Sequence, residues 1–142
     1  MDKLENNVLY VLDKCFRTYH QFAQKQVKKA GHSITIDQWL LLKNIHEHPH
    51  ITQNELARTV FKDNASVTRI IQGLVIAGYV DRSAHATDRR RVILELTPSG
   101  VAITEEVNQI ALKNRAKALQ NISTAHVEQM KQTLENIIQN CK

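Results

Sequence analysis

Apolar residues recur mainly at intervals of three and four positions, which is the spacing of amphipathic helices. Short polar residues mark where these helices begin, since their side-chain oxygens can accept amide hydrogens of a first helical turn. The pattern predicts helices from Leu4 to Lys29, from Thr35 to just before Pro49, from Thr52 to about Val60, from Asp63 to Gly78, from Thr97 to about Asn121 and from Ser123 to Cys141.

Only between Gly78 and Pro98 does the hydrophobic period change to two. The segments Tyr79–Ser83 and Arg91–Leu96 alternate and are rich in branched residues, which predicts the two strands of a hairpin. A polar tip, residues 84–90, connects them and ends in consecutive arginines. The predicted fold class is therefore mainly α with a small β-hairpin.

The helix that begins at Asp63 separates apolar from polar residues. Val67, Ile70, Ile71 and Leu74 follow the spacing of one buried face. The opposite face carries small polar and cationic side chains, namely those of Asn64, Ser66, Thr68, Arg69 and Gln72. A helix with such a face and no acidic residue past its cap can lie in the major groove of DNA, although a solvated surface helix has the same pattern.

The neighbours of this helix favour the DNA-binding interpretation. A short capped helix, beginning with the capping-box residues Thr52 and Glu55, precedes it and predicts a helix-turn-helix. The arginine-tipped hairpin follows it, as in a winged helix-turn-helix. We predict a single domain over residues 1–142, in which residues 35–97 form the DNA-binding module.

Residues 1–34 and 98–142 are predicted to be dimerisation helices. The first helix carries an apolar stripe near a heptad register, and the last helix carries another with steps of three and four. These stripes consist of Leu4, Val8, Val11, Cys15 and Phe22 at the N-terminus and of Val127, Met130, Leu134, Ile137 and Cys141 at the C-terminus. Such stripes are typical of core packing or of a seam between subunits.

The composition is that of an ordinary globular protein with a basic balance. Lys and Arg total 19 against 14 Asp and Glu, a formal net charge of +5, which favours polyanionic partners. The chain begins without a secretory signal and contains no apolar run long enough to span a bilayer, so we expect a cytoplasmic protein that does not bind membranes. It has no phosphate-cradling glycine loop, nucleophile elbow or convincing carboxylate pair, and we predict neither an enzyme nor a cofactor.

Several motifs resemble those of the multiple-antibiotic-resistance regulator (MarR) family. Residues 88–100, Asp-Arg-Arg-Arg-Val-Ile-Leu-Glu-Leu-Thr-Pro-Ser-Gly, resemble the wing signature D-x-R…L-T-x-x-G of that family. Thr52-x-x-Glu-Leu-Ala57, Ser66-Val-Thr-Arg69 and Leu74-x-x-x-Gly-Tyr-Val-Asp-Arg82 also match, in the same order. The resemblance extends over essentially the whole chain, including the flanking helices.

The resemblance implies a homodimeric repressor that binds a pseudo-palindromic operator, with half-sites about 10 bp apart. It places the helix beginning at Asp63 in the major groove, the N-terminus of the preceding helix on phosphates, and Arg90 in the minor groove, with Asp88 pairing with Arg90. With the arginine run and the polar face included, the candidate DNA-binding residues are Thr52, Gln53, Asn64, Ala65, Ser66, Thr68, Arg69, Gln72, Asp88, Arg89, Arg90 and Arg91.

The family also implies a signal that releases DNA, often a small phenolic or aromatic molecule. Phe16, Tyr19 and Trp39 are candidates to line an effector cleft, although aromatics at helical spacing also occur in plain cores. Cys15, followed by Phe16 and Tyr19, resembles the reactive cysteine of the organic-hydroperoxide sensors of this family. The second-helix positions that supply tyrosines there hold Ile36 and Trp39 here, so redox sensing and core packing of Cys15 remain alternatives.

Other chemistry finds less support in the sequence. A disulfide between Cys15 and Cys141 would require the two end helices to meet. The run His46-Glu-His-Pro-His50 contains metal-binding residue types, but its spacing matches no zinc motif, and we predict a solvated connection and no metal site. A winged-helix adaptor that binds protein is the alternative function, although such modules do not need a basic wing tip.

Overall fold

A computed structural model describes the whole chain, residues 1–142. After a 3₁₀ turn at Leu4–Asn6, the elements are α1 (Val8–Lys29), α2 (Ile36–Glu47), α3 (Gln53–Thr59), α4 (Asn64–Ile76), β1 (Val80–Ala84), β2 (Val92–Leu96), α5 (Pro98–Ala118) and α6 (Thr124–Asn140). The strands pair antiparallel, with Val80 opposite Leu96 and Ala84 opposite Val92. The predicted fold class, a winged helix-turn-helix flanked by helices at both ends, is confirmed.

Side-chain caps start the helices where the sequence predicts. Thr35 and Thr52 form complete capping boxes. The threonine hydroxyl accepts from the amide three residues on, and the side chain of that residue accepts from the amide of the threonine. Thr97 and Ser123 cap α5 and α6 through a single hydrogen bond, in which the side chain accepts from the amide three residues on. Gly78 lies one residue past the C-cap of α4 with φ +80, a conformation in which a Cβ would be strained.

Three predicted boundaries differ from the structure. The first helix begins at Val8 and not at Leu4, because the Asn7 side chain caps it by accepting from the amides of Leu9 and Tyr10 at 2.9 and 3.3 Å. The first strand lies one residue later than the predicted Tyr79–Ser83, at 80–84, and the second begins one residue after the predicted Arg91 and ends at Leu96 as predicted. The fifth helix ends at Ala118, three residues before Asn121, whose φ of +63 belongs to the following turn.

The core is centred on α2, which packs against α1, α3, α4, α5 and β2. The helical spacing of apolar residues in α2 predicts Ile36, Trp39, Leu40, Leu42 and Ile45 as core positions; all are buried except Leu40, which is half-buried. Leu41, which the helical spacing did not single out, is fully buried as well. It is buried because an element with neighbours on several sides has little exposed face left.

The other side of the core is formed by α4 and the hairpin. Val67, Ile71 and Leu74 of α4 are fully or almost fully buried, and Ile70 packs against the core half-buried. Val80 and Leu94 face the same core from β1 and β2. The buried face predicted for the helix beginning at Asp63 is therefore present, and it fixes the position of α4.

The joint between β1 and α5 is tight. The Thr97 hydroxyl donates to the Gly78 carbonyl at 2.6 Å, and the Thr97 amide donates to the Tyr79 carbonyl at 3.0 Å. Gly100, in the first turn of α5, lies directly on the Tyr79 carbonyl. These contacts set the direction in which α5 leaves the hairpin.

The terminal helices leave most of their apolar stripes uncovered. The buried residues of α1 are Ala23 and Val27 in its C-terminal half, whereas Val8 is 71% exposed, and α6 has no buried residue. Cys15 and Cys141 are free and exposed, so packing of Cys15 in the core of its own chain is wrong, and no disulfide joins the two. None of the helices combines the length and apolarity needed to cross a membrane.

Candidate nucleic-acid interface

α3, the turn Val60–Lys62 and α4 form a rigid helix-turn-helix. The Lys62 amide donates to the Ala57 carbonyl at 3.0 Å, and Phe61 adopts a left-handed φ of +58. Gln53 Nε2 donates to Thr68 Oγ1 at 2.6 Å and so ties the start of α3 to the middle of α4. The two helices are thus joined by side chains as well as by the turn.

The exposed side of α4 carries most of its candidate DNA-binding residues. Asn64, Ala65, Arg69 and Gln72 are exposed, and steps of about 100° per residue place them on one arc of the helix. We call these four residues the α4 polar face. The only charged side chain on α4 is that of Arg69, so nothing acidic within the helix opposes an approaching phosphate.

Thr68 is half-buried beside this face and is already hydrogen-bonded. Its hydroxyl donates to the Asn64 carbonyl at 2.8 Å and accepts from Gln53 Nε2. Because a hydroxyl has a single hydrogen, Thr68 retains no donor for a base. The structure therefore places Thr68 and Gln53, two of the predicted contact residues, in contact with each other.

The first turn of α4 orients Arg69. Asp63 accepts from the Ser66 amide at 2.7 Å and from the Ser66 hydroxyl at 2.8 Å, and Arg69 Nη2 donates to that hydroxyl oxygen at 3.1 Å. The pKa of the Asp63 carboxyl is lowered from its ordinary value, chiefly by the amide of Ser66 and further by its hydroxyl. An ionised Asp63 thus holds the hydroxyl that positions the guanidinium.

The N-terminus of α3 is partly occupied by its own capping box. Glu55 Oε2 accepts from the Thr52 amide at 2.9 Å, and this backbone hydrogen bond is the main reason that the pKa of Glu55 is lowered. The Thr52 hydroxyl accepts from the Glu55 amide at 3.2 Å and keeps its own hydrogen. Of the Thr52 groups predicted to meet phosphate, the amide is therefore already engaged by Glu55.

The wing, defined as β1, β2 and the connecting residues 85–91, has an ordered tip. Asp88 Oδ1 accepts from the backbone amide of Arg90 at 3.0 Å. Asp88 thus pairs with Arg90 through the main chain of Arg90 and not through its guanidinium, since a carboxylate two residues away reaches the main chain first. Arg89, Arg90 and Arg91 have exposed side chains.

His85 has a part in this tip that was not predicted from the sequence. His85 Nδ1 accepts from the amides of Thr87 and Asp88 at 3.2 and 3.1 Å. The imidazole thereby closes the turn that presents the three arginines. The spacing His-x-Thr-Asp is a weak signal for such a turn and did not identify it.

A cavity of about 680 Å³ adjoins the helix-turn-helix. The three predicted effector residues, Phe16, Tyr19 and Trp39, all line it. The turn Val60–Lys62 forms another part of its wall, and Asn114 of α5 a further part. The sequence could not indicate these last two, because they reach the cavity only through tertiary packing.

Ion pairs connect the cavity wall to the helix-turn-helix. Asp37 of α2 binds Lys62 Nζ at 3.1 Å and lies 3.6 Å from His20 Nε2 of α1. Lys62 immediately precedes Asp63, the cap of α4. The wall of the cavity is therefore one residue away from the helix that carries the α4 polar face.

No cluster of three or more His, Cys, Asp or Glu side chains is arranged to hold a metal ion. The residues of the run 46–50 are all exposed.

A capped, polar-faced helix, a helix braced against it and an arginine-tipped hairpin together define a winged helix-turn-helix protein. The model of the MarR family matches residues 34–92. A "probable transcriptional regulator" from Pseudomonas aeruginosa superimposes with a TM-score of 0.82 at 25% identity, covering 95% of this chain and 99% of that one.

Two other solved structures share the fold at lower identity. A mutant MarR from E. coli complexed with operator DNA has a TM-score of 0.81 at 23% identity, covering 89% of this chain and 90% of that one. Bordetella bronchiseptica BpsR, whose DNA binding is regulated by 6-hydroxynicotinic acid, has a TM-score of 0.87 at 19% identity, covering 96% of each chain. Residues 34–92 thus resemble the MarR family, and the whole chain has the winged helix-turn-helix fold of these solved structures.

Proposed function

We propose that this chain is a homodimeric repressor that binds a pseudo-palindromic operator and is released from it by a small-molecule effector. The observation that carries the proposal is the α4 polar face, which is free of acidic residues and stands beside the arginine-tipped wing. The operator complex of the E. coli relative, which has the same fold, supports the DNA-binding part.

Each part of the interface has its own task in this proposal. The α4 polar face enters the major groove, where Asn64 and Gln72 offer amides to base edges and Arg69 offers a guanidinium to guanine or to phosphate. Ser66 and Thr68 hold these residues in position. Thr52 and the arginines at 89–91 contact the sugar-phosphate backbone, and Arg90 reaches into the minor groove.

Dimerisation supplies the second reading helix. The exposed apolar residues of α1 and α6 form large uncovered faces, which soluble monomers rarely keep. Pairing these faces through a two-fold axis would cover them and present two copies of α4. Half-sites about 10 bp apart then follow from the repeat of B-DNA.

The cavity is the proposed effector site. Because the turn Val60–Lys62 forms part of its wall, a ligand that displaces this turn also moves the cap of α4. The Lys62–Asp37 ion pair ties the same turn to α2. That BpsR responds to a small aromatic molecule supports an effector of comparable size.

Salt-titrated DNA binding tests the role of the wing. Arg90→Ala should weaken binding to operator and random DNA alike and lower the log–log salt slope by about 0.9 for each phosphate that the variant no longer binds. If Arg90 enters the minor groove of an A·T tract, the preference among sequences should change as well.

Footprinting on the promoter region of the gene identifies the operator and should show two symmetric protected half-sites.

Lys131→Ala is the matched control for Arg90→Ala. It removes the same charge from an exposed position on α6, away from the wing, and should leave the slope unchanged. An Arg90→Ala variant with the affinity and slope of the parent chain would remove the wing from the mechanism. Failure of the parent chain to shift any DNA at low salt would instead favour a protein-binding adaptor.

A thiol sensor is the second candidate function. Cys15 lies outside the core of its own chain, so an oxidant can reach it there unless the pairing of two chains covers it. In this alternative, peroxide releases the operator, and Cys15→Ser abolishes the release. DNA affinity that peroxide leaves unchanged would reject it.

A further inference from the structure

Five of the nitrogen-bearing side chains that line the cavity already have partners within the chain. Arg17 binds both carboxylate oxygens of Asp13, at 3.1 and 3.0 Å, and Lys62 and His20 face Asp37. The Trp39 indole donates to the Thr104 carbonyl at 3.2 Å, and the Asn44 amide donates to the Leu40 carbonyl at 2.8 Å. Each of these side chains therefore already has a partner within the chain.

Asn114 is different. It lines the cavity and is only 4% exposed, and its Nδ2 is buried without any hydrogen-bond partner. A buried amide nitrogen in this condition destabilises the folded chain, so natural proteins rarely keep one. It is the one buried side-chain polar atom in the chain that lacks a partner.

The surroundings of Asn114 are apolar. Val107, Ala111 and Asn114 lie at i, i+4 and i+7 on the face of α5 that borders the cavity, opposite Ala23 and Val27 of α1. The amide is thus a single polar group in an apolar wall.

We propose that Asn114 determines ligand specificity and that the cavity takes an uncharged, planar, largely apolar compound with a carbonyl oxygen for its amide. The inference rests on the proposed function only in so far as the cavity is the effector site. The carbonyl accepts the N–H that has no partner within the chain, and the rings of Phe16, Tyr19 and Trp39 contact the body of the compound.

Charge is the reason for an uncharged ligand. A carboxylate placed beside Asn114 would lose its hydration and gain one neutral donor, while the cations of the cavity are engaged by Asp13 and Asp37. A neutral carbonyl loses much less hydration and gains the same hydrogen bond. The cavity should therefore prefer an amide to the carboxylate of the same ring system.

Direct binding to the full chain tests this inference without DNA. Trp39 is the only tryptophan and lines the cavity, so its fluorescence reports occupation. The probes are 2-naphthamide, 2-naphthoate and 2-methylnaphthalene, which share a ring and differ in the group offered to Asn114. We expect 2-naphthamide to bind more tightly than 2-naphthoate.

The variant Asn114→Leu removes the donor and keeps the number and branching of the side-chain heavy atoms. It should weaken 2-naphthamide binding about five- to tenfold, the effect of one desolvated hydrogen bond, and leave 2-methylnaphthalene binding unchanged or tighter. Asn108→Leu is the matched control on the same helix, because Asn108 binds Lys43 and does not line the cavity. It should change the affinity for none of the three probes.

The melting temperature separates a ligand-directed Asn114 from a structural one. Asn114→Leu should raise it, since an unpartnered polar group is replaced by an apolar one, and a lower value would overturn the proposal. Tighter binding of 2-naphthoate than of 2-naphthamide, an equal loss for 2-methylnaphthalene, or no fluorescence response to any probe would also overturn it. Operator binding, measured separately, decides the proposed function independently of these results.

Discussion

Two helical glycines differ in what a side chain would meet. A Cβ on Gly100 would overlap the carbonyl oxygen of Tyr79, at the joint where α5 leaves the hairpin. A Cβ on Gly73, inside α4, would meet nothing closer than Gln38 Nε2 at 3.7 Å, an ordinary contact. The same residue type is thus required by close packing at one position and is replaceable at the other.

Gly100→Ala should therefore destabilise the protein by about 1 to 3 kcal/mol, because the joint must open to admit the methyl group. Urea unfolding followed by far-UV circular dichroism measures the change.

Gly73→Ala is the internal comparison and should stabilise the chain by up to about 1 kcal/mol through its helix propensity. Equal effects of the two substitutions would contradict a specific close contact at Gly100.

At the scale of single elements, the sequence predicts helix starts well because capping depends on neighbouring residues. The capping residues Thr35, Thr52, Asp63, Thr97 and Ser123 act within four residues of themselves, and all five cap helices where predicted. The start of α1 was missed although it is equally local. The apolar residue Leu4 extended the periodic pattern to the N-terminal side of Asn7, so the pattern did not identify Asn7 as the cap of α1.

The features that the sequence could not show depend on contacts between residues far apart in the chain. The bond between Gln53 and Thr68 spans 15 positions, and the one between Trp39 and Thr104 spans 65. Asn114 is unpartnered only because of how α1, α2 and α5 pack around it. The candidate DNA-binding residues of α4 were predictable from helical periodicity, whereas their division into exposed and bracing residues was not.

The Gln53–Thr68 hydrogen bond leads to a prediction about how firmly α3 and α4 are held together. Thr68→Val keeps the shape and removes the acceptor, so Gln53 loses its partner and α3 is less firmly held to α4. DNA affinity should fall about three- to tenfold for specific and random sequences alike, the equivalent of roughly one hydrogen bond. Competition binding with both kinds of DNA measures this.

Thr68→Ser keeps the hydroxyl and should bind as the parent chain does. A change in preferred operator sequence with Thr68→Val would contradict the bracing role and indicate direct contact with bases.

For the whole molecule, the exposed apolar faces of α1 and α6 lead to a prediction about assembly. Val11→Glu places a charge in the middle of the α1 stripe, where pairing with a second copy would bury it. Sedimentation velocity should show a shift from dimer to monomer at micromolar concentration, together with loss of operator binding.

Ile76→Glu is the control, since it introduces the same charge at an exposed apolar residue outside the terminal helices. It should leave the sedimentation coefficient unchanged. Dimers that persist in Val11→Glu would exclude the α1 stripe from the interface.

The uncovered α6 has a consequence for the lifetime of the protein. In the proposed dimer, α6 buries nothing in its own chain and would be stabilised by the partner, so the melting temperature should rise with protein concentration. In a cell with few copies, more chains would have frayed ends that proteases cleave first. Degradation would then be faster at lower protein concentration. If the chain is the repressor proposed above, a gradual fall in its concentration would therefore end in an abrupt loss of operator occupancy.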